Sequence, residues 1–144
     1  MQLEVLIIFL RKDKPFIRYE DLERDGIQNA ITGAIFKTKI DNSHPLGFGY
    51  GDSYFTLKAG NRSYKYLENG YNVVRLEDNT VYSGFAGSKS IGNLKKSLIF
   101  GEENYGRGSI IYMVDNPLFR GFWDNGKLFL ANALFYTNPS MKKL

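Results

Sequence analysis

His44 is the single histidine of the chain, and cysteine is absent. Those two facts decide most of the chemistry open to it. A catalytic zinc site draws on at least two histidines, or on histidine with cysteines, because zinc favours nitrogen and sulfur donors. Pro45-Leu46-Gly47 follow His44, so no carboxylate stands three residues on to complete a local ligand pair. A thiolate metal site and a cysteine nucleophile are both excluded. A serine nucleophile is usually presented on a Gly-x-Ser-x-Gly elbow, and the sequence has none. Gly106-Arg107-Gly108 precedes an apolar run instead of following one, so it is a turn into a sheet and not a dinucleotide fingerprint. Gly47-Phe48-Gly49-Tyr50-Gly51 lacks the lysine and the helix that would cradle phosphate. The expectation is a chain with no catalytic residue, no metal site and no cofactor of its own. His44 then shapes the Asp41–Pro45 turn, with a ring nitrogen bonded to backbone.

The densest constellation is Asp115-Asn116-Pro117-Leu118-Phe119-Arg120-Gly121-Phe122-Trp123. It follows an apolar run, and open α/β sheets place ligands where strands end. Asp115 and Arg120 could orient a polar ligand while Trp123 packs against it. The structural alternative is a rigid corner: Asp115 bonded to loop N–H groups, Arg120 held by a carboxylate or carbonyls, and Pro117 and Gly121 setting the bend. Tyr50, Tyr54, Tyr64, Tyr66 and Tyr71 form a second candidate surface, for stacking on sugar rings or peptide side chains.

The elements that must position these residues follow from periodicity. At 144 residues, 43% hydrophobic and 24% charged, the chain fits one domain with its own core. Tyr19 to Ile31 reads as a helix with acids in its first turn, closed by Thr32-Gly33. Ala34 to Ile40 alternates with period 2 and reads as a strand with Lys37 and Lys39 on the wet face. Tyr54–Lys58, Ser63–Leu67 and Asn72–Leu76 read as short strands, some antiparallel. Ser90 opens a helix carrying Ile91, Leu94 and Leu98, ended by Gly101. Ser109 to Val114 is almost unbroken apolar, the pattern of a central parallel strand paired on both sides. Lys127 to Tyr136 is apolar almost all round, a helix packed inside the domain or under a partner. Residues 1–18 form a leader segment and 19–144 the domain. Leu3 to Leu10 is too short to span a membrane, and its charges follow the apolar run, the reverse of a signal peptide. The net charge of +4 is dispersed in small groups, so nucleic acid is not an expected partner.

Three stretches resemble the C-terminal region of large secreted zinc carboxypeptidases of the carboxypeptidase A class from Bacteroidetes-type bacteria. They are Thr32-Gly33-Ala34-Ile35-Phe36-Lys37 through His44-Pro45-Leu46-Gly47-Phe48-Gly49-Tyr50; Ser83-Gly84-Phe85-Ala86-Gly87; and Gly106-Arg107-Gly108 through Trp123, ending in Asn132-Ala133-Leu134-Phe135. The resemblance covers about residues 19–144. It implies a periplasmic or extracellular protein whose zinc ligands and catalytic Glu lie in a preceding peptidase domain, the partner in cis. It also implies an α/β fold, a flavodoxin-like or class I glutamine amidotransferase-like sandwich. Here that sandwich is incomplete, with part of the sheet antiparallel. The amidotransferases of that fold rely on cysteine and histidine, so glutaminase activity does not carry over. Two functions remain in view: a non-catalytic accessory domain packed on the peptidase module, and a glycan- or peptide-binding module.

Overall fold

Every strand pairing between the named strands is antiparallel. The structure, a computed structural model, describes residues 16–136; the apolar run from Leu3 to Leu10 lies outside the described residues. The elements are α1 (Leu22–Asn29), β1 (Ile31–Ile40), β2 (Ser53–Lys58), β3 (Gly70–Arg75), β4 (Tyr82–Ala86), α2 (Ser88–Leu94), β5 (Leu98–Tyr105), β6 (Gly108–Met113) and α3 (Asp124–Phe135). The sheet order is β2-β1-β3-β5-β6, with β4 also paired to β1. The described residues form a mixed α/β arrangement of six strands and three α-helices, its sheet curled. The parallel strands of a doubly wound sheet are not found among the described residues.

β1 organises the sheet because it is long enough to serve three neighbours. One edge pairs with β2, from Ala34 opposite Lys58 to Lys39 opposite Ser53. The other edge is shared, β4 taking Ile31–Phe36 and β3 taking Lys39 and Ile40. Alternation buries Ala34, Phe36, Thr38 and Ile40 and leaves Lys37 and Lys39 outside. The strand begins at Ile31, so Thr32-Gly33 lies within it and α1 ends earlier than its periodicity suggested.

The strand buried on both faces is β5, not the run at Ser109 to Val114. Leu98 through Glu102 are all buried. β6 pairs with β5 alone among the described residues, and its side chains are half-buried or exposed. The reason is the short turn around Gly106, whose φ of 57° closes a hairpin between β5 and β6. Strands joined by a tight hairpin are necessarily antiparallel neighbours, whereas a parallel strand needs a long crossover. The helix expected to run from Ser90 to Gly101 stops at Leu94. Lys95 turns extended and Lys96 adopts a left-handed φ of 51°, which ends helical bonding and releases Leu98 into β5. Gly101 is a strand glycine: a Cβ there would stand 2.7 Å from the Tyr71 carbonyl oxygen. The expected strand Ser63–Leu67 makes only a single bridge, Lys65 to Ser97.

The helix expected at Lys127–Tyr136 forms as α3 and covers the inner sheet face. Phe129 is its anchor, stacked on Tyr50 at 4.0 Å and meeting Phe100 at 4.8 Å and Tyr54 at 5.0 Å. Gly126 lets the helix lie on the preceding loop, since a Cβ there would sit 2.1 Å from the Pro117 carbonyl oxygen.

Candidate functional site

Asp115 does not bind its own loop. Its carboxylate accepts from the Lys58 ammonium and the Thr56 hydroxyl, each at 2.8 Å. Lys58 is 1% exposed, because Tyr54, Thr56 and Lys58 share the inner face of β2. The pair ties the segment after β6, at one end of the sheet order, to β2 at the other. The bend is stabilised instead by Asn116, whose side chain accepts from the Leu118 N–H at 2.9 Å. Arg120 is not held by a carboxylate among the described residues, unlike the rigid-corner expectation. It is exposed at φ 50°, lies 5.2 Å above its neighbour Phe119, and has no ion pair among the described residues. The Trp123 indole N–H donates to the Tyr54 hydroxyl at 3.2 Å and the Phe55 carbonyl at 3.3 Å. Asp115 and Trp123 thus both lean on β2, while Arg120 points elsewhere.

His44 sits apart from them, after β1. Its Nδ1 accepts from the Leu46 N–H at 3.2 Å, capping the short 3-10 turn Pro45–Gly47. Its Nε2 lies 3.3 Å from Glu102 Oε2, and the Tyr71 ring packs 4.8 Å away. Both polar side chains are buried, so this is an internal bracket between turn and sheet. The same turn is held from the other side by Asn132 of α3, which donates to the Leu46 and Phe48 carbonyls at 3.0 and 2.8 Å. Nearby, the Ser43 hydroxyl donates to Asp41 and is the main cause of that carboxyl's lowered pKa.

Three of the five candidate tyrosines, Tyr50, Tyr54 and Tyr66, are committed to internal contacts. Tyr50 donates to the Asn125 carbonyl and Tyr66 to the Leu76 carbonyl. Burial raises both phenols, and it pushes Tyr54 up to about 12. A neutral phenol favoured in the fold gives a definite sign. The stability contributed by Tyr54 is complete below pH 10, the ordinary value, and is lost as pH rises toward about 12. Ultraviolet difference titration is expected to show Tyr54 among the phenols ionising above the main tyrosine transition. Its ionisation within that transition would mean the residue is not buried. Tyr64 lines an open groove, about 450 Å³, with Arg62, Leu67, Tyr112 and Met113.

Sequence reasoning missed Lys58, Thr56, Glu102 and Asn132. Lys58 had a readable signal: a lysine in phase with Tyr54 and Thr56 on a buried strand face requires an acidic partner. Glu102 had none, because it lies just past the expected end of the helix at Gly101 and nothing local marks it as buried strand. Among the described residues no three histidine, aspartate or glutamate side chains gather as metal ligands, and no helix is long and apolar enough to cross a membrane. Comparison with family models, with curated proteins and with solved structures finds no match to the chain.

Proposed function

We propose that this chain is a non-catalytic accessory domain that docks on another module. In the family its motifs resemble, that module is the peptidase domain of a secreted zinc carboxypeptidase. The same proposal takes the chain as an incomplete amidotransferase-like sandwich, of which the described strands are the antiparallel part. The observation that carries the docking reading is the outer side of α3. Phe129 and Asn132 face the sheet, whereas Leu134 and Phe135 turn to solvent, each 68% exposed. Phe48 extends the apolar surface, its ring 5.3 Å from that of Tyr136. Large contiguous apolar surface of this kind marks an interaction site. Supporting it, two of the three loop residues that a ligand would use, Asp115 and Trp123, are already engaged with β2.

The reading is tested with the open reading frame that contains Met1 and its neighbouring module. A zinc-peptidase domain encoded upstream is expected to co-purify with this chain. Leu134→Glu with Phe135→Glu is expected to weaken that association at least roughly tenfold, since two charges would be driven into an apolar contact. An upstream frame with no peptidase domain would contradict the parent, and unchanged association would contradict the surface.

A second reading rests on the groove beside Tyr64. Two tyrosines, an arginine and apolar floor residues suit a peptide or glycan. Calorimetric titration with oligosaccharides and peptides decides it: binding abolished by Tyr64→Ala supports it, and no binding removes it.

A further inference from the structure

β6 is an edge strand without the usual protection. Gly108–Met113 holds no charge and no proline, and its pairing with β5 runs without a bulge. Edge strands are normally blunted by one of those devices, because their unpaired N–H and C=O groups invite another strand. The Val114 N–H donates to the Ile99 carbonyl at 2.9 Å, which fixes the phase of the ladder. Alternation then turns the backbone groups of Ile110 and Tyr112 toward β5 and those of Ile111 and Met113 outward. Neither Ile111 nor Met113 has a further backbone partner among the described residues. At the other end of the sheet order the edge is in use, since the Phe55 carbonyl of β2 accepts from Trp123.

The Met113 end of that edge borders a basic groove. Tyr112 and Met113 line the groove of about 450 Å³ together with Arg62, Tyr64 and Lys65. The two stretches meet at the start of β5, where the Tyr64 carbonyl accepts from the Leu98 N–H and Lys65 bridges Ser97. No carboxylate lines the groove. Arg62 and Lys65 are exposed and have no ion pair among the described residues. Glu103, on the neighbouring strand, accepts from the Tyr112 hydroxyl at 2.9 Å. Leu67 packs over Gly101, the residue opposite Tyr112, so the groove opens on the face that bears the Tyr112 ring. A strand laid on β6 would lie about 4.7–4.9 Å from it, and its residue beside Tyr112 would present a side chain on that same face.

We infer that the β6 edge and this groove take an extended acidic peptide of a partner protein, added to the sheet as a further strand. The outward backbone groups of Ile111 and Met113 pair with it, a carboxylate from it meets Arg62 and Lys65, and Tyr64 and Tyr112 pack against its side-chain stems. A second copy of this chain is the other strand at hand, and charge opposes it. Two-fold pairing of β6 with β6 sets the Met113 end of one copy beside the Gly108 end of the other. Arg107 of the second copy then lies at the end that holds Arg62 and Lys65, which gathers three cations. An acidic peptide narrows the groove reading proposed above, on which it depends, from peptide or glycan to one class of peptide.

Fluorescence anisotropy with short labelled peptides tests it on this chain. A peptide alternating glutamate with valine is expected to bind, and to bind more weakly as salt rises. Its counterpart alternating lysine with valine is expected to bind at least roughly tenfold more weakly, because like charges then meet. The glutamate peptide with its backbone amides N-methylated is also expected to lose at least roughly tenfold, since it cannot donate to a strand edge. Arg62→Glu with Lys65→Glu is expected to weaken the glutamate peptide at least roughly tenfold and to favour the lysine peptide. Both positions are exposed, and circular dichroism checks that the variant remains folded. Equal binding of the two peptides, indifference to N-methylation, or unchanged binding by the double variant would each overturn the inference. So would a chain that dimerises through β6 and binds no peptide. Oligosaccharide binding abolished by Tyr64→Ala, with no peptide bound, would overturn it and leave the groove reading standing. Binding of neither ligand would remove both.

Discussion

Replacing Asp115 by alanine is expected to lower the free energy of unfolding by about 3–5 kcal/mol. Lys58 keeps its ammonium group beneath the sheet face, and Asp115 is its ion partner at 2.8 Å. Without it an uncompensated charge stays in the interior, and the Thr56 hydroxyl loses its acceptor as well. The loss exceeds that for an ordinary loop carboxylate because the pair bridges two ends of the sheet order. Lys58→Met with Asp115→Leu is expected to recover most of the stability, since both charges then leave the interior together. Arg120→Ala is expected to change stability by no more than about 0.5 kcal/mol, as an exposed side chain without an ion pair. Urea denaturation of the four proteins checks all three statements. An Asp115→Ala loss below about 1 kcal/mol would mean that Lys58 reaches water.

Phe129→Ala is expected to cost about 3–5 kcal/mol, the range for deleting a buried aromatic ring. Phe129 is fully buried, and three aromatic rings converge on it. α3 has few other anchors: Asn132 bonds to the turn, and Ala133 packs on the core from the margin. The cavity therefore weakens the seat of the helix as well as the core, and the first amides to lose protection are expected to be those of α3. Phe135→Ala is the matched control, with an expected change within about 0.5 kcal/mol in the isolated chain. Equal losses for the two variants would mean that the helix is rotated from its described seat.

β1 was legible because alternation is a local signal: Phe36, Thr38 and Ile40 against Lys37 and Lys39 need no partner strand to be recognised. The terminal helix was legible for the same reason, and so was the turn at His44. The β5–β6 region was not. Leu94 and Leu98 fit a helical spacing, and nothing local announces that Lys96 will take a positive φ and break it. The apolar run after Gly108 carries the unbroken pattern of a central strand, although the tight hairpin places it at the edge. The partner of Asp115 was hidden by distance, since Thr56 and Lys58 lie 59 and 57 residues away. Long-range ion pairs are set by topology, which local patterning does not reveal. Asn132 bonds across 86 residues to the Leu46 carbonyl and was hidden in the same way.

Hydrogen exchange across Asp124–Phe135 tests the docking account most directly. It is measured on this chain alone and again with the module encoded beside it. The account predicts that amides on the side of α3 bearing Leu134 and Phe135 exchange at least roughly tenfold more slowly in the presence of that module. It also predicts that Leu134→Glu with Phe135→Glu removes the difference. Exchange along α3 that is the same with and without the module would contradict it, above all if protection appeared around Tyr64 and Tyr112 instead.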